Sequence, residues 1–373
     1  MHNLKNIFVI AGGTAGHTLP AIELSNELMN RNYKIIFITD IRMFDFVNKN
    51  IKQNSKNIKI LCFKGRGLHK SNFFKNIQSI FLLIYSVMQS FINILSYQPK
   101  LAYGFGGGIT VPPLIVCRIF KIPIILHEGN KVLGRANKFL CRYSNILTTF
   151  FPHIEGKISK NTKNIRVGMP VRNNIEKLYT KKYKIKDEGL INILITGGSL
   201  GAEVMATEIA KALSSFPKDL IYKISIRQQV RAENHEHVKA LYDKAFIKYK
   251  IASYIENISD SLNWCHLIIC RSGAGTIAEN LISGCPSIMI PLTIATDNHQ
   301  MKNALYIENI GAGWIIKENE LYEQKILKTR LREIIFDKKI LNKASKLAKK
   351  YAIRNANINL ADIGHSVING MKY

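Results

Sequence analysis

Two stretches of this chain share one grammar: VIAGGTAGHTLP at residues 9–20 and LITGGSLGAEVM at residues 194–205. In each, an apolar, partly β-branched run stops in glycines and restarts in helix-forming residues. A strand that ends in glycine and feeds a helix is the opening unit of a doubly wound α/β sheet. Meeting that unit twice points to two such sheets in tandem. The length of 373 residues is long for one core and ample for two domains.

The rest of the chain keeps the alternation. Short β-branched runs suggest strands at 6–11, 34–39, 57–62, 100–105, 122–127 and 145–150, then at 191–196, 221–226, 250–255, 266–270, 286–290 and 312–316. Helical stretches fall between them, among them 19–31, 72–97, 202–215, 274–283 and 320–335. This predicts parallel sheets with helices on both faces. The expected domains are 1–171 and 172–353, with the polar stretch 177–189 just past the boundary. A last helix, about 357–370 within the terminal stretch 354–373, is expected to pack back on the first domain.

The formal net charge is +27. Residues 1–171 carry 23 Lys and Arg against 6 Asp and Glu, so the excess is denser in the first half. A basic surface favours anionic partners: nucleic acid, anionic lipid or phosphorylated ligands. Compositional drift toward Lys, Asn and Ile accounts for the charge but less well for its asymmetry. Aromatic residues do not interleave with the basic runs as nucleic-acid stacking platforms require, so no nucleic-acid partner is expected. The cysteines at 62, 117, 141, 265, 270 and 285 show neither CxxC nor metal-ligand spacing and read as small core residues in a reducing compartment. The apolar run at 7–11 is too short for a signal peptide. Between Lys75 and Lys100 there is no charge, a length that spans a bilayer. Ser79, Ser86, Ser90, Asn93 and Tyr97 nevertheless draw a polar stripe along one helical face. That favours a crossover helix packed on a sheet, with part of its apolar face left over.

Glycines at a strand end let backbone N–H groups approach a ligand, and the following helix start adds partial positive charge. A tight βα turn also needs glycine for steric reasons alone, so each turn is weak evidence and the pair is stronger. Neither turn has GxGxxG spacing, since Thr14 and Ser199 interrupt it. Asp40 ends the second strand as a ribose-binding acid does in nicotinamide enzymes, which keeps a dehydrogenase open. A third glycine run, 104–108, and the segment His127-Glu128-Gly129-Asn130 also follow strands. With His17 they should face one crevice at the carboxyl ends of the strands. In the second half, 270–276 joins strand to helix with N–H donors suited to a diphosphate. Glu279 is placed to accept from a ribose diol or to offset the helix dipole. The segment 297–300 precedes another helix and suits sugar hydroxyls or a plain cap. No DxD motif of the kind that holds Mg²⁺ or Mn²⁺ is present, and no metal or cofactor is expected.

These elements, taken in order, carry a resemblance: GGTAGH near the start, GFGG at 104–107, HEGN with GRAN at 127–137, and PVR at 170–172. GGSLGA at 197–202, CRSGAGTIAE at 270–279 and D-x-x-Q-x-x-N-A at 297–304 complete it. The chain resembles the peptidoglycan N-acetylglucosaminyltransferases, GT-B enzymes of glycosyltransferase family 28 that convert lipid I to lipid II. The resemblance implies a GT-B fold with an interdomain cleft and an inverting transfer from UDP-GlcNAc to the C4 hydroxyl of MurNAc. It implies that the second domain holds the donor: Ile255 at the uracil, Glu279 at the ribose, and Ser199, Arg172 and the helix start Ala274-Gly275-Thr276 at the diphosphate, with Ile277 and Ala278 as further substrate-binding positions. Gln300 and His299 would bind GlcNAc hydroxyls, with Asn130 and Asn137 contributing from the first domain. Thr14, Ala15, Gly16 and His17 would face the sugar and the acceptor diphosphate. Histidine changes charge near neutrality, which makes His17 the candidate base, with Glu128 orienting or replacing it. The resemblance further implies a peripheral place on the cytoplasmic face of the inner membrane, held by the basic first half on anionic lipid and by Phe73, Phe74 and Ile77, and other cell-wall synthesis proteins as partners.

The chain departs from the family pattern at Ala15, where glycine is usual. It departs again at Gly108 for tyrosine, Gly129 and Leu200 for glutamine, and Met169 for asparagine. Two other readings stay open beside a changed acceptor for the same fold. A basic membrane- or RNA-binding protein without catalysis would gain no stability from UDP, and a dehydrogenase would gain it from NAD.

Overall fold

The structure, a computed structural model, describes residues 5–51, 56–63, 73–185, 189–197, 203–293 and 298–371, with the backbone alone for 73–80. It divides into two compact units, Met1–Val171 together with Asn355–Tyr373, and Arg172–Arg354.

The first unit is built on β1 (Asn6–Ile10), β2 (Lys34–Asp40), β3 (Ile58–Phe63), β4 (Leu101–Gly104), β5 (Ile124–Glu128), β6 (Ile146–Thr149) and β7 (Lys163–Arg166). They form one parallel sheet in the order β3-β2-β1-β4-β5-β6-β7. Side-chain alternation divides β1 between two cores. Ile7 and Val9 join the cluster on one face with Ile35 and Phe37, while Phe8 and Ile10 join the other with Ile36 and Ile38. A strand buried on both faces needs such an unbroken apolar run. β7 has no such run: its KNIR residues are mostly exposed at the sheet edge, so the sequence carries no hydrophobic signal for a seventh strand.

The second unit holds β8 (Ile191–Thr196), β9 (Ile224–Gln229), β10 (Lys248–Ala252), β11 (Leu267–Cys270), β12 (Ser287–Met289) and β13 (Gly313–Ile315) in the order β10-β9-β8-β11-β12-β13, also parallel. β9 begins later than the expected 221–226, because Lys218–Ile221 coils into a short helix behind Pro217. In both sheets the winding reverses beside the first strand, between β1 and β4 and between β8 and β11, where ligands of doubly wound sheets bind.

Three helices stand out among those on the first sheet. The first, Ala15–Asn30, starts four residues before the expected 19, so Gly16 and His17 belong to its opening turn. Thr14, extended at φ −147°, is its N-cap, and Pro20 lies inside it. Proline has no N–H, so the Gly16 carbonyl goes without its intrahelical donor. The crossover helix Phe73–Tyr97 inverts the usual arrangement. Its polar stripe is the inward face: Ser86 and Ser90 are 1% and 0% exposed, and the Ser90 hydroxyl donates to the Ser86 carbonyl at 2.6 Å. Small serines let the helix settle close on helix Val111–Ile119, against which it packs. Much of its apolar surface is left outward, including Phe81, Ile84, Met88, Ile92 and Leu95, all more than half exposed. Among the described residues no helix is long and apolar enough to cross a membrane. The last helix, Ala356–Ile368, lies on the first unit, where the Tyr103 hydroxyl donates to the Leu360 carbonyl at 2.9 Å. Five of the six cysteines are buried and Cys62 is half-buried, all free thiols.

Candidate active site

In the first unit the glycine segments converge at the carboxyl ends of β1, β4 and β5. The 104–107 loop lies against the first turn: Phe105 N–H donates to the Ile10 carbonyl at 3.0 Å, and a Cβ on Gly107 (φ +82°) would lie 2.8 Å from the Gly12 carbonyl oxygen. Only glycine permits that approach. A Cβ on Gly106 would lie 3.3 Å from His17 Nε2 and 3.8 Å from Asn137 Nδ2, so this loop brings the two side chains to one place. His17 Nδ1 stands 3.3 Å from the Gly12 carbonyl oxygen. A carbonyl only accepts, so Nδ1 carries the proton and Nε2 keeps the lone pair. Thr14 provides no side-chain cap, so the helix start at Ala15 and Gly16 presents uncapped N–H groups.

Glu128, the last residue of β5, is 3% exposed and does not contact His17 through any hydrogen bond among those described. One carboxylate oxygen accepts from Asn130 N–H at 3.0 Å and more weakly from Asn130 Nδ2 at 3.4 Å. The other accepts from Gly134 N–H and Asn137 Nδ2, both at 2.9 Å. These donors fold 128–137 into a fixed loop and turn Asn130 toward Glu128. Asn137 is 2% exposed; its Nδ2 also donates to the His127 carbonyl at 3.0 Å, and its Oδ1 is buried without a hydrogen-bond partner among the described residues. His127 is 2% exposed, with Nδ1 3.1 Å from the Thr148 hydroxyl and Nε2 3.3 Å from Met169 Sδ. Burial, then the nearby His17, pushes its pKa down to about 3. The thioether at Met169 gives Nε2 no N–H donor. At Gly108, a Cβ would meet nothing within 4 Å among the described residues.

Asp40 does not act as a ribose acid. One oxygen accepts from Gly13 N–H at 2.9 Å and from the Arg42 guanidinium at 2.7 Å, and the other accepts from Met43 N–H at 3.2 Å as the N-cap of helix Ile41–Asn50. Its task is to hold the first glycine turn, and the dehydrogenase reading loses its one supporting residue.

In the second unit, helix Ala274–Ser283 begins at Gly273 with no side-chain cap, so its first turn offers free N–H groups at the end of β11. Ala274, Gly275 and Thr276 stand at that start. The side chains of Ile277 and Ala278 are 1% and 2% exposed, and Ile277 N–H already donates to the Gly273 carbonyl at 3.0 Å. These two therefore bury their side chains, and the Ile277 N–H is already committed within the helix. Glu279 is half-buried on the same helix. Arg172 is the N-cap residue of helix Asn173–Glu176, which packs on helix Ala274–Ser283. Ile255 follows β10, and its side chain is half-buried. His299 and Gln300 open helix His299–Asn309. The Gln300 carbonyl accepts from the Ser272 hydroxyl at 2.8 Å, and its Oε1 accepts from Leu292 N–H at 3.0 Å. That fixes the amide with its nitrogen turned the other way. Ser199 and Leu200 lie outside the described residues, as do Gly198 and Asp297. The side chains of Phe73, Phe74 and Ile77 do as well.

Local sequence pattern does not reveal the support around Gln300. Arg271, 9% exposed, donates to the Ile290 carbonyl at 3.1 Å and pairs with Glu318. The partners are 47 residues apart in sequence, far outside any motif window.

Two doubly wound parallel sheets, each with an uncapped helix start at its switch point, define the GT-B class of glycosyltransferases. The crystal structure of Acinetobacter baumannii MurG has this fold: it superposes with a TM-score of 0.78 at 23% identity, covering 99% of this chain and 100% of that one. The model for the glycosyltransferase family 28 N-terminal domain matches residues 7–148, and that for the C-terminal domain matches 192–357. A protein of Rhodospirillum centenum is 32% identical over 96% of this chain and 94% of its own length. One of Gluconobacter oxydans is 31% identical over 98% and 99%. Both are named UDP-N-acetylglucosamine--N-acetylmuramyl-(pentapeptide) pyrophosphoryl-undecaprenol N-acetylglucosamine transferase. The chain belongs to glycosyltransferase family 28.

Proposed function

We propose that this chain transfers GlcNAc from UDP-GlcNAc to the C4 hydroxyl of MurNAc in undecaprenyl-pyrophosphoryl-MurNAc-pentapeptide, lipid I, with inversion, yielding lipid II. The observation that carries the reading is the shared name of relatives 31–32% identical over nearly the whole chain.

The first unit takes the acceptor. His17 Nε2, its lone pair free because Nδ1 donates to Gly12, removes the C4 hydroxyl proton as the oxygen attacks the anomeric carbon. Glu128 is the organiser of the 128–137 loop rather than a second base, since its oxygens are already committed to that loop. Asn137 Oδ1 is a buried acceptor near His17, suited to a substrate hydroxyl. The second unit takes the donor. As the glycosidic bond breaks, negative charge grows on the diphosphate. The first-turn N–H groups of helix Ala274–Ser283 and the Arg172 guanidinium stabilise it. Glu279 accepts from the ribose diol, the Ile255 backbone meets the uracil, and Gln300 with His299 binds the sugar hydroxyls.

The protein works as a peripheral enzyme on the cytoplasmic face of the inner membrane. Outward Phe81, Ile84, Met88 and Ile92, with Phe120 in edge contact with Phe91 at 5.2 Å between ring centroids, give an apolar surface for shallow insertion. Lysines and arginines of the same unit contribute about 1 kcal/mol each near an anionic surface.

The test is transfer of labelled GlcNAc to a short-chain lipid I analogue, with UDP-Glc and UDP-GalNAc as competing donors, with and without EDTA. Product formed from UDP-GlcNAc and undiminished by EDTA is expected. Transfer to another acceptor, or from another donor in preference, overturns the assignment.

A further inference from the structure

Gln300 is held from two directions. Its backbone is tied to the turn after β11 by Ser272, whose own carbonyl accepts from the fully buried Asn303 at 3.1 Å. Its side chain is tied to the segment after β12 through Leu292 N–H. That second tie is only as firm as the segment 290–293, which has no regular structure of its own. Two groups hold it. Arg271 donates to the Ile290 carbonyl and pairs with one oxygen of Glu318. The other oxygen of Glu318 accepts from the Thr293 hydroxyl at 2.7 Å and from Thr293 N–H at 3.3 Å. Glu318 opens the short helix Glu318–Tyr322, with only Ile316 and Lys317 between it and the end of β13, so the clamp is anchored close to the sheet.

Burial alone would raise the Glu318 pKa, but donors from Thr293 and Arg271 outweigh it and hold the group below its ordinary value. The clamp is thus a carboxylate bridging a nearly buried guanidinium and a loop residue. Removing it leaves Arg271 without its counter-charge and releases Thr293.

From this geometry we infer that Glu318 is a positioning residue for donor-sugar recognition: through Thr293 and Arg271 it fixes Leu292 N–H, which orients the Gln300 amide so that its nitrogen is presented to the sugar hydroxyls. The inference rests on the proposed donor site and adds a residue that makes no contact with the donor. Its signature is selective. UDP lacks the GlcNAc that Gln300 would bind, so UDP affinity is independent of the clamp, whereas UDP-GlcNAc affinity depends on it.

Calorimetric binding of UDP and of UDP-GlcNAc to the intact chain tests this without an acceptor. Glu318→Ala should weaken UDP-GlcNAc about tenfold while UDP stays within about twofold, as expected for loss of charge-assisted hydrogen bonds. Thr293→Val, an exposed position that keeps the ion pair, should weaken UDP-GlcNAc about threefold with UDP unchanged. Glu318→Gln, which keeps one acceptor oxygen, should fall between Glu318→Ala and the unsubstituted chain. Equal weakening of both ligands, or unchanged UDP-GlcNAc binding in Thr293→Val and a folded Glu318→Ala, overturns the inference. Failure of the unsubstituted chain to glycosylate lipid I instead sinks the acceptor reading, and the two binding constants still decide this one.

Discussion

His17 and His127 share one electrostatic neighbourhood and face opposite demands. His17 is half-buried with Nδ1 committed to a carbonyl, which leaves Nε2 as a proton acceptor. Replacing it with alanine removes the proposed base and leaves every residue proposed for the donor unchanged. Turnover of His17→Ala should fall about a hundredfold or more, with UDP affinity unchanged; an unaltered rate removes His17 from the chemistry. His127 must instead stay neutral. Its folded pKa of about 3 lies below its ordinary 6.5. The unfolded chain therefore binds the extra proton first as pH drops. Stability from this group is complete above about pH 6.5 and is lost progressively toward pH 3, by roughly 5 kcal/mol at most. Urea midpoints measured between about pH 7 and pH 4 should fall less steeply for His127→Gln than for the unsubstituted chain. Identical slopes would mean that His127 is reached by solvent and protonates in the fold.

At the level of single elements, legibility tracked how local the cause was. β1 and β8 were readable because an apolar run meeting glycine leaves few other conformations, and helix Ala274–Ser283 matched its expected bounds from Gly273 to the left-handed Gly284 cap. β7 was not readable, since an edge strand paired on one side needs only backbone. The start of helix Ala15–Asn30 was hidden by Pro20, which normally marks a first turn. In the candidate site, the motif glycines and His17, which the structure brings to one place, could be picked out by inspection. Asp40, Arg271 and Glu318 could not be assigned, because each acts on a loop distant in sequence. Helix Phe73–Tyr97 is the most instructive case: the crossover helix and its leftover apolar surface were legible, but the packed face was not. Its periodicity was correct, but periodicity does not say which face is solvent. Small polar residues won the inward side because they satisfy themselves on the helix backbone and allow close packing. The consequence is testable. A variant carrying Ile84→Ser, Met88→Ser and Ile92→Ser should keep its thermal midpoint yet sediment far less with anionic vesicles. Ser90→Leu should leave vesicle binding intact and cost about 1–3 kcal/mol by overpacking. If the triple variant sediments normally, this face is not what meets the lipid.

For the whole molecule, the chain's path couples its two ends. The first unit is not finished when residue 171 is made; it is completed by the last helix, after the entire second unit has been threaded. Tyr103 is fully buried beneath that helix, and a Cβ on Gly364 would lie 1.8 Å from its hydroxyl, so backbone rests directly on the ring. Arg31 reinforces the seam by pairing with Asp362 at 2.6 Å, and the Tyr33 hydroxyl lies 2.7 Å from His365 Nδ1. Leu360 and Ile363 alone bury apolar surface worth roughly 3–6 kcal/mol. The second unit owes nothing to this helix in its own core, which runs from Ile185 to Leu341. A chain ending at Arg354 should therefore lose the first unit's thermal transition or shift it sharply down. The second unit's transition should stay near its original temperature and still rise with added UDP, because ligand binding to a native state must stabilise it. Calorimetry with and without UDP separates the two. A single transition that falls as one and no longer responds to UDP would place the donor's support in the first unit, and would overturn the assignment of Arg172, Glu279 and Gln300.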